Sequence, residues 1–394
     1  MRVLITGVDG YLGWPLAIYL AKRGHEVAGI DDYSRRRWVG EMGSQSAIPI
    51  APMAERLEAY RENLGQNLRF FKGDLQNIDF VMNAYKTFKP EAVVYLGQMP
   101  SAPYSMLDVQ HAIYTQTNNI MGALVTLHAI RDIVPDCHLV KLGTMGEYGT
   151  PNLDIPEGYF DIEYRGRKDR MMFPRKAGSW YHQSKVHDTN NVEMACRFWG
   201  LKSTDIMQGV VYGTRIDEFG DDERLKTRFD FDQCFGTAIN RFCAQAVVGL
   251  PLTPFGKGTQ KRGFLALRDS MQCFTLALEN PPESGPEPRV FNQFEEVYNV
   301  TELAERVQKI GNEFDLNVEI KRIENPRQEM EEHYYNPDHQ GLLDLGYKPT
   351  TDMDAELRLM FDDLIRNSGR IEARKEALFP DIRWDGSRRK SEYL

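Results

Sequence analysis

The chain has 394 residues, enough for two domains or for one large α/β domain with an appendage. With 42% hydrophobic and 27% charged residues, and 32 Gly and 20 Pro spread along its length, it cannot be collagen-like, low-complexity or disordered. Its 48 Lys and Arg face 57 Asp and Glu, and the net charge of −9 argues against a nucleic-acid backbone or an anionic membrane as main partner.

No stretch approaches the ~20 apolar residues that span a bilayer, and the N-terminal apolar run is broken by Thr6, Gly7, Asp9 and Gly10. Neither a transmembrane helix nor a signal peptide is expected. Cys137, Cys196, Cys234, Cys243 and Cys273 are odd in number and widely spaced without a CxxC pair. That pattern predicts no disulfide framework, no metal site and a reducing cytoplasm.

In chain order, RVLIT at 2–6 predicts a strand, a glycine-rich turn follows, and Trp14 to Lys22 carry apolar residues at helical spacing. EVAGI at 26–30 predicts a second strand ending in Asp31 and Asp32. LRFFKGD, AVVYLG and HLVKLGT repeat the pattern, separated by helix-length segments. Such alternation implies a parallel sheet with helices on both faces. Residues 151–178, rich in Pro, Gly and charge, read as an insertion over one end of that sheet. Residues 299–314 predict a helix with Asn299 as N-cap, Glu302 three residues on, and Leu303, Val307 and Ile310 on one face. Residues 352–366 repeat that spacing through Leu357, Met360 and Leu364. No internal repeat or long linker occurs.

TGVDGYLG at 6–13 joins a strand to a helix, with glycines at 7, 10 and 13 that let backbone N–H groups approach a pyrophosphate at the helix N-terminus. A simple tight turn is the alternative. Asp31, 18 residues after Gly13, is placed to accept hydrogen bonds from an adenosine ribose and to repel a 2'-phosphate, which favours NAD. Arg35, Arg36 and Arg37 lie close enough to serve NADP instead. Asp74 is either an adenine neighbour or a helix cap.

Tyr181 and Lys185, in YHQSK, are four apart and share a helical face. A phenol titrates near ~10, and a nearby ammonium with an oxidised nicotinamide brings it into range as a general base. Thr144 supplies a hydroxyl from another strand end. With these motifs in hand, the chain resembles the extended short-chain dehydrogenase/reductase family over nearly its whole length. Further matches are Asn119 in NNIMG, GVVYG at 209–213, LGYKP at 345–349 and GKGTQKRGFLALRD at 256–269.

The resemblance implies an α/β, Rossmann-type doubly wound parallel sheet with a smaller, discontinuous α/β substrate lobe. The expected division is an NAD-binding part over 1–213 and a nucleotide-sugar part mainly over 214–394, with some segments of the latter returning to the former. It implies NAD held by Gly7, Gly10, Tyr11, Leu12, Gly13, Asp31, Asp32, Arg35, Asp74, Leu75, Leu96 and Asn119 together with Tyr181 and Lys185. A UDP-sugar is expected to touch Gln98, Ser101, Tyr104, Thr144, Gln208, Asn240 and Phe255, with Arg262 and Arg327 clamping the pyrophosphate.

Family 4,6-dehydratases place Asp and Glu directly after the catalytic Thr, and here those positions are Met145 and Gly146. The ordinary dehydratase reading therefore lacks its acid and base. SAPYSM, HLVKLGTMGEYGTPN, YHQSKVHD, QGVVYG, FGTAINRFCAQA and EEHYYN resemble members of the family that build a sulfonated sugar nucleotide from UDP-glucose and sulfite. That resemblance implies NAD reduced and reoxidised within one turnover. It also implies catalysis by Thr144, Tyr181 and Lys185, and free sulfite or a sulfite-donating protein as sulfur source.

His182 is a candidate proton carrier near C6, since an imidazole titrates near ~6.5; its alternative is packing beside Tyr181. Glu147 is a second candidate, or else a structural carboxylate in the Tyr148 loop. Plant members of this subgroup carry Glu, Gln and Arg before SAPYSM, where this chain has Gln98, Met99 and Pro100, so Arg165, Arg167 or Arg175 of the insertion is either the substitute or a surface charge. A 4-epimerase and a non-catalytic NAD sensor are the rival readings. The resemblance also suggests a homodimer through helices over 111–130 and 181–198, with Ile120, Leu124, Leu127 and Met194 either at that interface or in the core.

Overall fold

The computed structural model describes residues 1–384 except Gln328, Glu331, Asp381 and Arg383. Glu331, which begins the EEHYYN string, thus lies outside the described residues. Five strands alternate with helices in the first part of the chain: β1 (Arg2–Thr6), β2 (Glu26–Asp31), β3 (Arg69–Lys72), β4 (Ala92–Tyr95) and β5 (His138–Thr144). They are followed by β6 (Tyr159–Tyr164), β7 (Arg167–Met172), β8 (Ser203–Gln208), β9 (Val210–Tyr212), β10 (Lys261–Ala266), β11 (Arg289–Gln293) and β12 (Glu296–Asn299).

Seven strands form one sheet in the order β3-β2-β1-β4-β5-β8-β11, every neighbouring pair parallel. This is the Rossmann-type doubly wound sheet. Its strands are apolar runs because both faces are covered. In β1, Val3 and Ile5 pack into one core with the Gly13–Lys22 helix, while Leu4 faces the opposite core with Tyr85 and Ile130. Chain order reverses between β1 and β4, and in such sheets the crevice at the carboxyl ends of the strands is where ligands bind. Thr6, Asp31, Tyr95, Thr144 and Gln208 end their strands at that edge.

The remainder of the chain supplies a second core of Phe229, Phe231, Phe242, Leu303, Val307, Leu357, Met360 and Phe361. It lies beside a small sheet in the order β12-β10-β9. Because β9 follows β8 after Gly209 alone, the crevice edge of the large sheet runs directly into this lobe, and β11 returns from the second half to the large sheet. The Val300–Asn312 helix starts with the expected reciprocal cap between Asn299 and Glu302, and the Met353–Arg366 helix is the second one anticipated. The 151–178 segment contains an antiparallel hairpin of β6 and β7. Tyr159, Phe160 and Phe173 anchor it against Tyr148 and Val290, while most other side chains stay exposed.

Candidate functional site

A cavity of about 940 Å³ opens along the carboxyl edge of the large sheet and extends into the second lobe. It sits at the upper end of the range for small-molecule sites. At one end, Gly7 adopts φ +73° and packs so tightly that a Cβ there would lie 2.9 Å from Gly97 Cα. A Cβ on Gly13 would lie 2.2 Å from Gly7 O, so the turn closes onto the helix only without side chains. Thr6 Oγ1 accepts from the Leu96 and Gly97 N–H groups, each at 3.0 Å, and thereby locks the β1 and β4 ends together.

Asp31 faces this end and accepts from the N–H groups of Asp9 and Tyr33 at 2.9 and 2.7 Å. Burial, then the neighbouring Asp9, pushes its carboxyl up to about 6. The three arginines that leave NADP open are all committed. Arg35 donates to Asp230, Arg36 grips Asp9 with two bonds, and Arg37 binds Asp32. Arg36 and Arg37 do not line this cavity and Arg35 is tied to Asp230, while Asp31 lines it with an accessible edge for ribose hydroxyls, so the donor set fits NAD. Gly10, Tyr11, Leu12, Asp32, Asp74, Leu75 and Leu96 also line the wall. Asn119 does not: it is fully buried and ties Met99 of the β4 loop to Ser184 of the next helix.

The Trp180–Trp199 helix enters the middle of the cavity, its start capped by Ser179 and its end turned by Gly200 at φ +68°. Thr144, Tyr181 and His182 converge there on the wall. Lys185 is fully buried behind them and donates to Leu142 O and Gln98 Oε1, while Gln98 Nε2 donates to Asp188. Its bonds thus run to β5 and to the loop after β4 rather than to the phenol. Burial pushes the Tyr181 phenol up, and burial together with Lys141 pushes the Lys185 ammonium down. Without a nicotinamide cation beside it, the phenol holds its proton.

The His182 ring packs directly over Gly146, one of the two positions after Thr144 that carry no carboxylate here. A Cβ on Gly146 would lie 2.4 Å from His182 Nε2, so the ring fills the space that glycine leaves. Its Nδ1 is 3.0 Å from Ser179 Oγ, which fixes the ring plane. Burial, then Arg262 and Arg327, push this imidazole down to about 3, so it is neutral near pH 7.

Glu147 stays off the cavity wall. It is fully buried, accepts from Thr144 N and Thr189 Oγ1, and pairs with Arg175 at 3.3 Å and Lys141 at 3.7 Å. Arg175 is therefore spent on Glu147, and Arg165 and Arg167 are exposed on the hairpin. The cation the insertion does bring to the wall is Lys176, whose backbone N–H is held by Glu147 O.

At the far end stand Asn240, Phe255, Arg262 and Arg327, with Gln98, Ser101 and Gln208 between. Tyr104 points elsewhere, donating to Glu41 and packing edge-on against His111. Sequence reasoning missed Arg241, which is 5% exposed and stacks 4.2 Å over Phe255. Its Nε has no partner among the described residues, and the Arg327 guanidinium lies 5.8 Å from the same ring. Glu329, bonded to Arg262 at 3.0 Å, is the carboxylate among them, so three guanidinium groups keep a surplus of positive charge that an anion satisfies. The signal was present in FGTAINRFCAQA, where Arg241 is the one charged residue. Among the described residues no cluster suits a metal ion.

The model of the family described as NAD dependent epimerase/dehydratase matches residues 3–293. A UDP-sulfoquinovose synthase of Sulfolobus acidocaldarius is 49% identical, with 100% of this chain and 99% of that protein covered. The chloroplastic UDP-sulfoquinovose synthase of Spinacia oleracea is 45% identical, covering 97% of this chain and 79% of that protein. Among solved structures, a UDP-glucuronic acid 4-epimerase from Bacillus cereus in complex with UDP-glucuronic acid and NAD matches at TM-score 0.69. Its sequence identity is 20%, with 93% of this chain and 99% of that one covered.

Proposed function

The chain belongs to the NAD dependent epimerase/dehydratase family, and we propose that within it the protein acts as a UDP-sulfoquinovose synthase. It joins UDP-glucose and sulfite to give UDP-6-sulfoquinovose and water, a carbon–sulfur bond formation whose reverse is a hydrolysis. The observation that carries this reading is His182 seated over Gly146, which gives the site a proton carrier where the dehydratase carboxylates are missing. The 49% and 45% identical relatives, both named UDP-sulfoquinovose synthase, support this reading, whereas a UDP-glucose 4-epimerase of Mycolicibacterium smegmatis is 24% identical over 70% of this chain.

Bound NAD supplies a reversible two-electron acceptor for C4, so the turnover needs no outside redox partner. Tyr181 takes the C4 hydroxyl proton and later returns it, Thr144 orients that hydroxyl, and Lys185 steadies the phenolate through its charge. The 4-keto group acidifies C5–H. His182 accepts that proton and delivers one to the departing C6 hydroxyl, which leaves as water and opens C6 to sulfite. Addition of sulfite sulfur to C6 is matched by reprotonation at C5. Arg241, Arg262 and Arg327 hold the UDP pyrophosphate, with Phe255 and Tyr298 flanking the base. Neutralising Arg262 and Arg327 in this way removes part of what holds the His182 imidazole down, so substrate binding itself raises its basicity.

Lys176 draws sulfite to the sugar, replacing the arginine absent at Pro100. It is the wall cation not already tied to Asp230 or grouped at the pyrophosphate end. The cofactor part spans 1–213 and the sugar part mainly 214–394. The protein works as a cytoplasmic homodimer. Five free, buried cysteines suit a reducing compartment, and among the described residues no helix is long and apolar enough to cross a membrane. Val109, Ile113, Met121, Trp180, Met194 and Phe198 expose an apolar face on the paired 109–133 and 180–199 helices. Leu127, by contrast, is core.

The test is UDP-glucose consumption by the purified protein. The synthase reading predicts consumption that depends on sulfite and releases no reduced cofactor. Consumption without sulfite, yielding UDP-galactose, would establish the 4-epimerase reading instead.

A further inference from the structure

A second, smaller cavity of about 200 Å³ lies behind the glycine-rich turn, outside the site described above. Arg36, Arg228 and Arg370 line it together with Ser44 and Ser46. Each guanidinium is oriented by bonds from Nε and Nη2 alone: Arg36 to Asp9, Arg228 to Asp230, and Arg370 to Ser46 O. Arg228 is 2% exposed, and its Nη1 is buried without a partner among the described residues.

Charge does not balance here. Asp9 serves both Arg36 and Arg56, Asp230 serves both Arg35 and Arg228, and Arg370 has a carbonyl rather than a carboxylate. Even with neighbouring Asp232 and Asp31 counted, five guanidinium groups face four carboxylates. Arg36 and Arg228 repel the buried Arg56. A buried cation with an unused donor costs free energy until an acceptor meets it. Guanidinium donors around a cavity of this size match the oxygens of one small tetrahedral anion.

We propose that this cavity is a binding site for a tetrahedral oxyanion of the phosphate or sulfate type, separate from the substrate pyrophosphate site. Its occupant would stand one side chain away from the cofactor cavity on two sides, through Arg36–Asp9 and Arg228–Asp230.

The test is calorimetric titration of the full chain with inorganic phosphate, then with sulfate, at constant ionic strength. Because Arg241, Arg262 and Arg327 are a second cationic centre, Arg241→Gln and Arg370→Gln are titrated in parallel. Arg370 lies outside the catalytic and substrate-binding residues, and Arg370→Lys controls for folding by keeping the charge. Binding that survives Arg241→Gln, weakens at least tenfold in Arg370→Gln and is largely restored in Arg370→Lys is expected. Three outcomes overturn the proposal: no binding to the unmodified protein at 10 mM anion, binding abolished by Arg241→Gln, or binding unchanged by Arg370→Gln.

Discussion

Replacing Gly146 by alanine adds one methyl group directly against the proposed proton carrier. The new Cβ would stand 2.4 Å from His182 Nε2 and 2.5 Å from its Cδ2, where ordinary contact begins at 3.4 Å, so the ring must retreat by about 1 Å. It cannot simply swing away, because Ser179 Oγ holds Nδ1 at 3.0 Å and that same hydroxyl caps the helix. Gly146 is not among the glycines with positive φ, so alanine adds no backbone strain and the effect is confined to the ring. A displacement of about 1 Å at a proton-transfer group costs on the order of 100-fold in turnover, or about 2.7 kcal/mol of barrier. Steady-state turnover with UDP-glucose and sulfite, alongside calorimetric UDP binding and a thermal melt, reads this out. Turnover should fall about 100-fold with UDP affinity unchanged, and Gly146→Ala added to His182→Ala should cost nothing more. Near-normal turnover in Gly146→Ala, or equal losses that multiply in the double variant, would refute the role of His182.

Asp31 titrates near 6 because it is buried beside Asp9. Below that pH it gains a proton and keeps only one strong acceptor oxygen for ribose, so NAD affinity should fall as pH drops through about 6 and level off above it. Asp31→Asn should flatten that profile, as fluorescence titration of NAD can check. Glu147→Ala strips a fully buried carboxylate from Lys141 and Arg175 and should cost about 3–5 kcal/mol in urea unfolding. Lys176→Met should raise KM for sulfite about tenfold, the worth of one charge-assisted contact, and leave KM for UDP-glucose within twofold.

The sheet was legible in the sequence because strands covered on both faces must be unbroken apolar runs, as in RVLIT and HLVKLG, ending in residues that reach the crevice. The β6–β7 hairpin was not legible. Its exposed faces impose no periodicity, and a segment such as YRGRKDR reads as a charged loop. The small β12-β10-β9 sheet escaped for another reason: its pairings join residues from positions 210 to 299, which no local pattern encodes.

Within the site, spacing alone brought Tyr181 and Lys185 to one helical face. Of the buried groups around Lys185, Asp188 is three residues on in the same helix, but Lys141 and Gln98 come from other elements, so the lysine's hydrogen-bond partners were invisible. Glu147 looked reactive beside Thr144, yet its partners Arg175 and Thr189 lie far along the chain and remove it from the wall. Arg241 was marked by its lone charge, but every position of its helix near it is buried, so no polar face marks the side that meets the cavity.

The central claim is that one site abstracts the C5 proton of UDP-glucose through His182 and closes the reaction with sulfite at C6. It is tested most directly by the mass of the sugar nucleotide formed from UDP-glucose and sulfite in deuterium oxide. A UDP-linked sulfonated hexose carrying one deuterium at C5, absent when sulfite is withheld and lost in His182→Ala, is the predicted result. UDP-galactose without deuterium, or a sulfonated product that forms equally well in His182→Ala, would contradict it.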